Sequence, residues 1–356
     1  MIHKIDKNIA KGKKVLVAMS GGVDSSVASY LLLKLGYDVS GITMYFDTVK
    51  NDISIDNINS FDSKIAASAS LKHCKDSSEV CKSLGIKHYI FNVTKQMEDY
   101  VIKSFIKNYI SGKTPNPCIE CNRYLKFGFL FNKAMKLGFD YFATGHYARI
   151  IEADSRYHLA KAKDKKKDQS YFLYIIDKNS LEKILFPLAD YTKDEIRQIA
   201  KDAGLPVAEK KESQEVCFIP DDDYKAFLKS RIAKCEKISD DVTASFETCG
   251  DIIDIEGNIL GKHNGISNFT IGQRKGIGIG FKNPLYVIDI NAKNNTITVG
   301  KREQLSRKKI IAKKLNLLED KIPQNVKAKI RFNHSEADCT VKILNDKKRA
   351  EIIFEK

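Results

Sequence analysis

Val15-Leu16-Val17-Ala18-Met19 is an unbroken apolar run, and a strand without a polar position is one buried on both faces. The run ends in Ser20-Gly21-Gly22. Beyond it Val27, Ala28, Leu31, Leu32 and Leu35 recur at helical spacing until Gly36 offers a C-terminal stop. Residues 38–46 read as a second strand, and the Asn/Asp-rich stretch 47–59 as a loop or mobile insertion. The pattern then predicts a helix over 77–84, a strand over 88–93 and a helix over 100–110. Thr114-Pro115-Asn116-Pro117 breaks it, because proline removes donors and fixes the backbone. A helix over 123–137 follows, then a short strand, Tyr141–Thr144, ending at Gly145-His146. Strand and helix alternate throughout, which predicts an α/β fold with a doubly wound parallel sheet. Ligands of such sheets sit at the carboxyl ends of the strands, where the Ser20 turn, Met44 and Gly145-His146 all fall.

The second half changes character. Thr192 is placed to cap a helix running to Ala203, with Glu195 completing a capping box and Gly204-Leu205-Pro206 ending it. A further helix is expected near 222–233. From about Phe246 the chain is short strands between turn signals such as Glu256-Gly257-Asn258, Asn264-Gly265 and Asn294-Asn295, the pattern of one or two small barrels. The expected division is 1–212 for the α/β domain, 213–282 for a small β-rich middle domain, and 283–356 for a C-terminal β-barrel.

At 356 residues, two or three domains are expected, and 43% hydrophobic with 29% charged residues suits a water-soluble globular chain. No apolar run approaches the length of a membrane span, and Met1-Ile2-His3-Lys4 lacks a signal-peptide pattern, so the expected compartment is the cytoplasm with no membrane partner. A formal charge of +15 suits a polyanionic partner such as nucleic acid. Lysine is spread along the whole chain, however, so biased composition explains the charge equally well.

Strand, glycine turn and helix start together aim backbone N–H groups and a helix dipole at one point, which favours an anion. No Gly-Lys-Ser/Thr follows, which excludes the mononucleotide P-loop, and the Gly-x-Gly-x-x-Gly spacing is missing too. An ordinary strand-to-helix turn is the plain alternative. Eight cysteines are too few for a secreted disulfide scaffold in a chain this long. Cys118-Ile119-Glu120-Cys121 leaves three readings open. A zinc site needs a second pair, and no second C-x-x-C exists. A redox pair needs a helix start. The third pairs Cys121 with the distant Cys217, whose neighbours Val216 and Phe218 equally suit a buried core thiol.

Ser20-Gly21-Gly22-Val23-Asp24-Ser25-Ser26 resembles the PP-loop of ATP pyrophosphatases, which adenylate a substrate and release pyrophosphate. Four further motifs follow in order. They are Thr114-Pro115-Asn116-Pro117 with Cys121-Asn122; Ala143 to Arg149; Lys167-Asp168-Gln169-Ser170-Tyr171-Phe172-Leu173-Tyr174; and Ser213-Gln214 to Ile219. Phe269 to Gly276 completes the set. Together they resemble the bacterial tRNA-specific 2-thiouridylase family over nearly the whole chain.

The resemblance implies adenylation of the 2-oxygen of the wobble uridine by ATP, with Mg2+ expected. The cradle would be Ala18, Met19, Ser20, Gly21, Gly22, Val23, Asp24, Ser25 and Ser26, with Met44 and Gly145 at the adenosine. It implies a persulfide on Cys217, loaded by a cysteine desulfurase or sulfur-relay protein, and Cys121 as the nucleophile that ends in a disulfide with it. Family tRNA contacts carry over to Asn116, Pro117 and Cys118 near the target base, to His146, to Lys167, Asp168 and Gln169, and to Arg331 and Phe332. The tRNAs implied are those for Glu, Gln and Lys.

Two departures stand out. Many relatives carry Asp where this chain has Cys118, so a third thiol replaces an acidic group, and with Cys121 and Cys217 it could ligate an iron–sulfur cluster. Relatives also continue past Glu351-Ile352-Ile353-Phe354-Glu355-Lys356, so a shortened C-terminal barrel is expected. The rivals are another PP-loop RNA-modifying enzyme, such as a lysidine synthase or an amidating ligase, and an RNA-binding redox module without ATP use. The paired thiols argue against the first and the intact PP-loop against the second.

Overall fold

The computed structural model describes residues 10–46, 69–211, 216–219, 223–232, 248–280, 283–345 and 348–355. The expected 47–59 loop, Ser213-Gln214 and Cys235 lie outside them.

Strand β1 (Lys14–Ala18) is the centre of a five-stranded sheet. It lies parallel to β2 (Asp38–Tyr45) on one side and to β4 (Tyr141–Thr144) on the other. Outside these, β3 (Lys87–Asn92) pairs with β2 and the short β7 (Ile184–Leu185) with β4, both parallel. The order is therefore β3-β2-β1-β4-β7, with the reversal of strand order between β1 and β4. The apolar run explains the centre: Leu16 packs into a cluster on one face with Ile42, Phe142, Leu130 and Phe131, while Val15 and Val17 pack into another with Leu32, Val39 and Val80. Both faces are covered, as an all-apolar strand requires.

Helix α1 (Val23–Leu35) connects β1 to β2 and ends at Gly36, which adopts φ +94°. Helix α2 (Ala69–Ser83) starts earlier than the sequence pattern indicates, because its N-terminal turns are polar and carry no periodic signal. Helix α3 (94–110) includes a π-helical turn at Met97–Ile102. Helix α4 (117–136) begins at Pro117, six residues before the expected start, and is π-helical over Cys121–Leu130. The wider π turn brings residues five apart close together: a Cβ on Gly128 would lie 2.7 Å from the Arg123 carbonyl oxygen. Helix α5 (Lys193–Asp202) has the expected capping box: the Thr192 hydroxyl accepts from the Glu195 N–H, and the Glu195 carboxylate from the Thr192 N–H.

An antiparallel hairpin, β5 (Arg149–Ala153) with β6 (Arg156–Ala160), interrupts the α/β domain and was not anticipated from the sequence. Beyond helix α6 (Tyr224–Ile232), strands β8 (Cys249–Ile253), β9 (Ile259–Asn264), β10 (Tyr286–Asn291) and β11 (Thr296–Gly300) form one sheet in the order β10-β11-β8-β9. Residue 283 falls within this sheet, since β11 pairs with β8 and buries Ile297 and Val299 beside Ile252. The last sheet, β12 (Lys309–Lys313), β13 (Asn325–Ala328), β14 (Ala337–Ile343) and β15 (Arg349–Phe354), runs β12-β15-β14-β13 and is antiparallel throughout.

The 216–219 segment differs from expectation as well. Phe218 and Ile219 are buried with Val101, Phe105, Cys121 and Leu125, together with Phe227 and Leu228 of α6. By packing, this segment belongs with helices α3 and α4 of the α/β domain rather than opening a separate one. Phe218 and Ile219 gain more there than in solvent, each burial contributing about 1.5–3 kcal/mol.

Candidate functional site

Strands β1, β2 and β4 bring the nucleotide-loop candidates to one edge. The turn after β1 is folded on its own hydroxyls: the Ser20 N–H donates to Ser25 Oγ at 3.1 Å, and Ser26 Oγ donates to the Gly22 carbonyl at 2.9 Å. Gly22 caps α1 without a side chain, so the first N–H groups of the helix are not consumed by a side-chain cap. Gly21 adopts φ +67°, and a Cβ there would lie 2.7 Å from the His73 carbonyl oxygen. Gly145, at the end of β4, approaches the same turn: its Cβ would sit 2.7 Å from Ser25 N and 2.8 Å from Asp24 C. Met44 lies in β2, paired with Phe91. The sheet thus sets Gly145 against the turn that follows Ala18, while Met44 lies near the carboxyl end of the neighbouring β2.

Asp24 is more constrained than its motif suggests. Lys193 Nζ lies 2.7 Å from Asp24 Oδ1 and 2.8 Å from Oδ2, and the Tyr147 hydroxyl donates to Oδ1 at 2.8 Å. Lys210 Nζ donates to the Gly21 carbonyl at 2.8 Å and pairs with Asp76 on α2. Burial, then the Lys210 charge, holds the adjacent His73 below its ordinary pKa. Sequence reading missed Tyr147, Lys193 and Lys210 in this role. All three sit far along the chain, and only the fold returns them to the loop.

The thiols form the second part of the site. Cys118 lies exposed in the first turn of α4, directly after Pro117 and the N-cap Asn116. Cys121, one turn on, is buried in the cluster that also takes Phe218 and Ile219. That places the Cys217 segment against the Cys121 helix. Burial, Cys121 and Cys118 push the Cys217 thiol up to about 12, while Lys126 opposes the shift. Its surface nevertheless meets solvent. Protein crowds the sulfur, while the residue as a whole keeps contact with solvent. Cys121 is likewise raised by burial, opposed by Lys126 and reinforced by Cys118.

The Lys126 charge therefore acts on both thiols, and it also lowers His146, whose pKa burial already holds well below the ordinary value. His146 is neutral, with Nδ1 at 2.7 Å from the Thr144 hydroxyl and its ring against Phe127 and Phe186. Because the thiolate is the reactive form, alkylation of Cys217 is expected to rise about tenfold per pH unit from about pH 7 to pH 10. Peptide mapping after iodoacetamide treatment checks this, and a plateau near about pH 8.5 would contradict the crowded setting.

The remaining candidates divide. Asp168 accepts from the Ala162 N–H at 2.9 Å and from the Ser170 hydroxyl at 2.7 Å, and Gln169 Oε1 accepts from the Tyr147 N–H at 3.0 Å. With Lys167 they flank the nucleotide side. Arg331 and Phe332 lie in the loop between β13 and β14; Phe332 reaches the α/β domain and Arg331 the middle one. Phe332 packs on Phe172 with ring centroids 4.6 Å apart, and Arg331 donates to the Ile271 carbonyl at 2.7 Å. The Asn122 amide donates to the Phe172 carbonyl at 3.2 Å, which links this junction to the Cys121 helix. Asn316 and the pairs His158–Glu319 and Arg156–Asp320 hold the last sheet on the domain.

Among the described residues, no group of three His, Cys, Asp or Glu side chains is placed to hold a metal ion, and no helix is long and apolar enough to cross a membrane.

A family model described as the tRNA methyl transferase HUP domain matches residues 13–221, and one described as the tRNA methyl transferase PRC-barrel domain matches 243–301. The tRNA-specific 2-thiouridylase MnmA 1 of Caldanaerobacter subterraneus is 45% identical over 94% of this chain and 88% of its own length. The tRNA-specific 2-thiouridylase MnmA of Clostridium acetobutylicum is 42% identical over 97% and 92%. That of Clostridioides difficile is 43% identical over 96% and 92%. Among solved structures, a 4-thiouridine synthetase–RNA complex with bound ATP is similar at a TM-score of 0.35 and 16% identity, over 63% of this chain and 51% of that one.

Proposed function

As this chain belongs to the tRNA-specific 2-thiouridylase family, we propose that it replaces the 2-oxygen of the wobble uridine of tRNA with sulfur, using ATP. The descriptions of the matched domain models speak of methyl transfer, and the names of the curated relatives speak of thiolation. One observation favours thiolation: Cys121 and the Cys217 segment share a buried cluster, an arrangement that sulfur relay needs and methyl transfer does not.

The uracil C2 carbonyl is a poor electrophile and oxide a poor leaving group. In the proposed first step the 2-oxygen attacks the α-phosphorus of ATP, and pyrophosphate leaves. Residues 18–26 hold the phosphates through backbone N–H groups, with Met44 and Gly145 beside the adenosine. Magnesium arriving on ATP phosphates needs only one or two protein carboxylates, and Asp24, about one-third exposed, is the group that fits. The chemistry the metal would supply there is neutralisation of phosphate charge. In the second step the terminal sulfur of a Cys217 persulfide adds to C2. The Cys121 thiolate then attacks Cys217 Sγ, the bond to the delivered sulfur breaks and AMP departs. The products are 2-thiouridine and a Cys121–Cys217 disulfide, which an outside dithiol reduces before the next turnover.

Asn116, Pro117, Cys118 and His146 surround the target base in this reading, and Lys167, Asp168, Gln169, Arg331 and Phe332 contact the rest of the tRNA. A single-stranded anticodon loop makes unstacking the base inexpensive. The tRNAs are those for Glu, Gln and Lys, a cysteine desulfurase or sulfur-relay protein supplies Cys217, and the enzyme works in the cytoplasm.

A single-turnover assay with ATP, sulfur-loaded protein and unmodified tRNA tests the reaction, reading 2-thiouridine by mass spectrometry. Thiouridine formation supports it; pyrophosphate release with no thiouridine sinks the sulfur-transfer half. Cys118→Asp is expected to retain thiolation within about tenfold, as a surface substitution in an exposed first turn should. Complete inactivity of a folded Cys118→Asp protein would instead show that the thiol itself takes part in the reaction.

A further inference from the structure

Two polar routes run from one basic turn to the carboxylate of the nucleotide loop. In the first, Asp164 Oδ1 accepts from the N–H groups of Lys166 and Lys167 at 3.0 and 3.2 Å, which shapes the turn around these lysines. The other oxygen, Oδ2, accepts from the backbone N–H of Lys193 at 3.0 Å. The Lys193 side chain, only 9% exposed, then reaches Asp24 with both carboxylate oxygens within 2.8 Å. In the second, the Gln169 N–H donates to the Tyr147 carbonyl at 2.7 Å, and Gln169 Oε1 accepts from the Tyr147 N–H. The Tyr147 hydroxyl completes the route to Asp24 Oδ1 at 2.8 Å.

We infer that Lys193 is a positioning residue that couples the Asp164 turn to the nucleotide loop, so that tRNA held on the turn orients Asp24 for adenylation. This rests on the thiolation reading above. A buried ammonium has lost its water and is held by its partner charge, so Lys193 and Asp24 move as a unit. The capping box on Thr192 fixes the start of α5, leaving Lys193 little freedom of its own. A polyanion drawing on exposed Lys165 and Lys166 therefore shifts Asp164, the Lys193 N–H and the carboxylate beyond it together. The coupling is reciprocal: bound ATP strengthens tRNA binding by the factor with which tRNA strengthens ATP binding.

The test compares pyrophosphate release by the full-length protein with and without unmodified tRNA. Asp164→Asn keeps the size of the side chain and, through its amide oxygen, the two N–H bonds of the turn, but sets an NH2 donor against the Lys193 N–H. It is expected to reduce the tRNA stimulation about tenfold, within the usual range of such couplings, with tRNA affinity changed less than about threefold. Lys193→Gln is expected to lower stimulation further, and Lys193→Arg to restore part of it. Tyr147→Phe, which removes one hydroxyl, gives a smaller loss and serves if Lys193→Gln fails to fold. Unchanged stimulation in Asp164→Asn and Tyr147→Phe would overturn the coupling, as would a loss that merely follows weaker tRNA binding. A wild-type protein without tRNA stimulation also overturns it, and only if thiouridine is absent too does the thiolation reading fall with it.

Discussion

Cys217→Ser is expected to abolish 2-thiouridine formation while leaving tRNA-dependent pyrophosphate release close to wild type. Serine cannot carry a persulfide, and removing a nucleophile costs on the order of 10³-fold or more in rate. The side chain meets solvent, so the exchange leaves no polar group stranded in the core. Its buried neighbours Phe218 and Ile219 keep the segment docked. Thiouridine by mass spectrometry and pyrophosphate by a coupled assay separate the two half-reactions. Persistent thiouridine, or equal loss of both, would remove Cys217 from its assigned role. Cys121→Ser is expected to abolish transfer as well, but it inserts a hydroxyl into an apolar cluster at about 1–3 kcal/mol. Cys121→Ala is the cleaner variant, and accumulation of loaded Cys217 persulfide is its signature.

Gly145→Ala is expected to strike the other half-reaction. Its Cβ would stand 2.7 Å from Ser25 N, 2.8 Å from Asp24 C and 3.0 Å from Ser25 Cα. All three are backbone atoms at the start of α1, which cannot rotate aside like the end of a side chain. Either β4 or the loop must shift, and overpacking of this kind costs about 1–3 kcal/mol. The shift falls on the N–H groups proposed to hold phosphate, so ATP-dependent pyrophosphate release should drop by about 10²-fold, the usual effect of misplacing a positioned group by an ångström. Persulfide loading of Cys217 should be spared. Wild-type pyrophosphate release from a folded Gly145→Ala protein would show that the close approach has no catalytic importance.

The parts of the fold read correctly from the sequence are those encoded by local pattern. Val15 to Ala18 is buried on both faces because the run has no polar position, Gly36 ends α1 because it adopts a left-handed φ, and Thr192 and Glu195 close a local capping box. The hairpin of β5 and β6 and the π turn around Gly128 left no such signal. The hairpin carries its own polar and apolar mixture, and a π turn differs from an α turn by a spacing that hydrophobic periodicity barely resolves.

The site divides along the same line. Motifs made of neighbouring residues, Ser20 to Ser26 and Cys118 to Cys121, were legible because adjacent residues must share a location. Lys126 belongs to that helix, yet nothing in its flanks marks a lysine whose charge acts on two thiols and His146. Lys193 and Tyr147 stand 169 and 123 residues from Asp24, and no local rule pairs a lysine or a tyrosine with a carboxylate at such separation.

Sequence by itself determined the main alternation of strand and helix, the turn after β1, the family and the two cysteines proposed for the relay. Each depends on short-range pattern or on motifs kept in order. Only the tertiary structure decided that Phe218 and Ile219 seat the Cys217 segment on the Cys121 helix, that β11 closes the middle sheet across residue 283, and that a buried lysine pairs with Asp24. These depend on which distant surfaces exclude water together, and burial and charge pairing are properties of the packed chain rather than of any stretch of it.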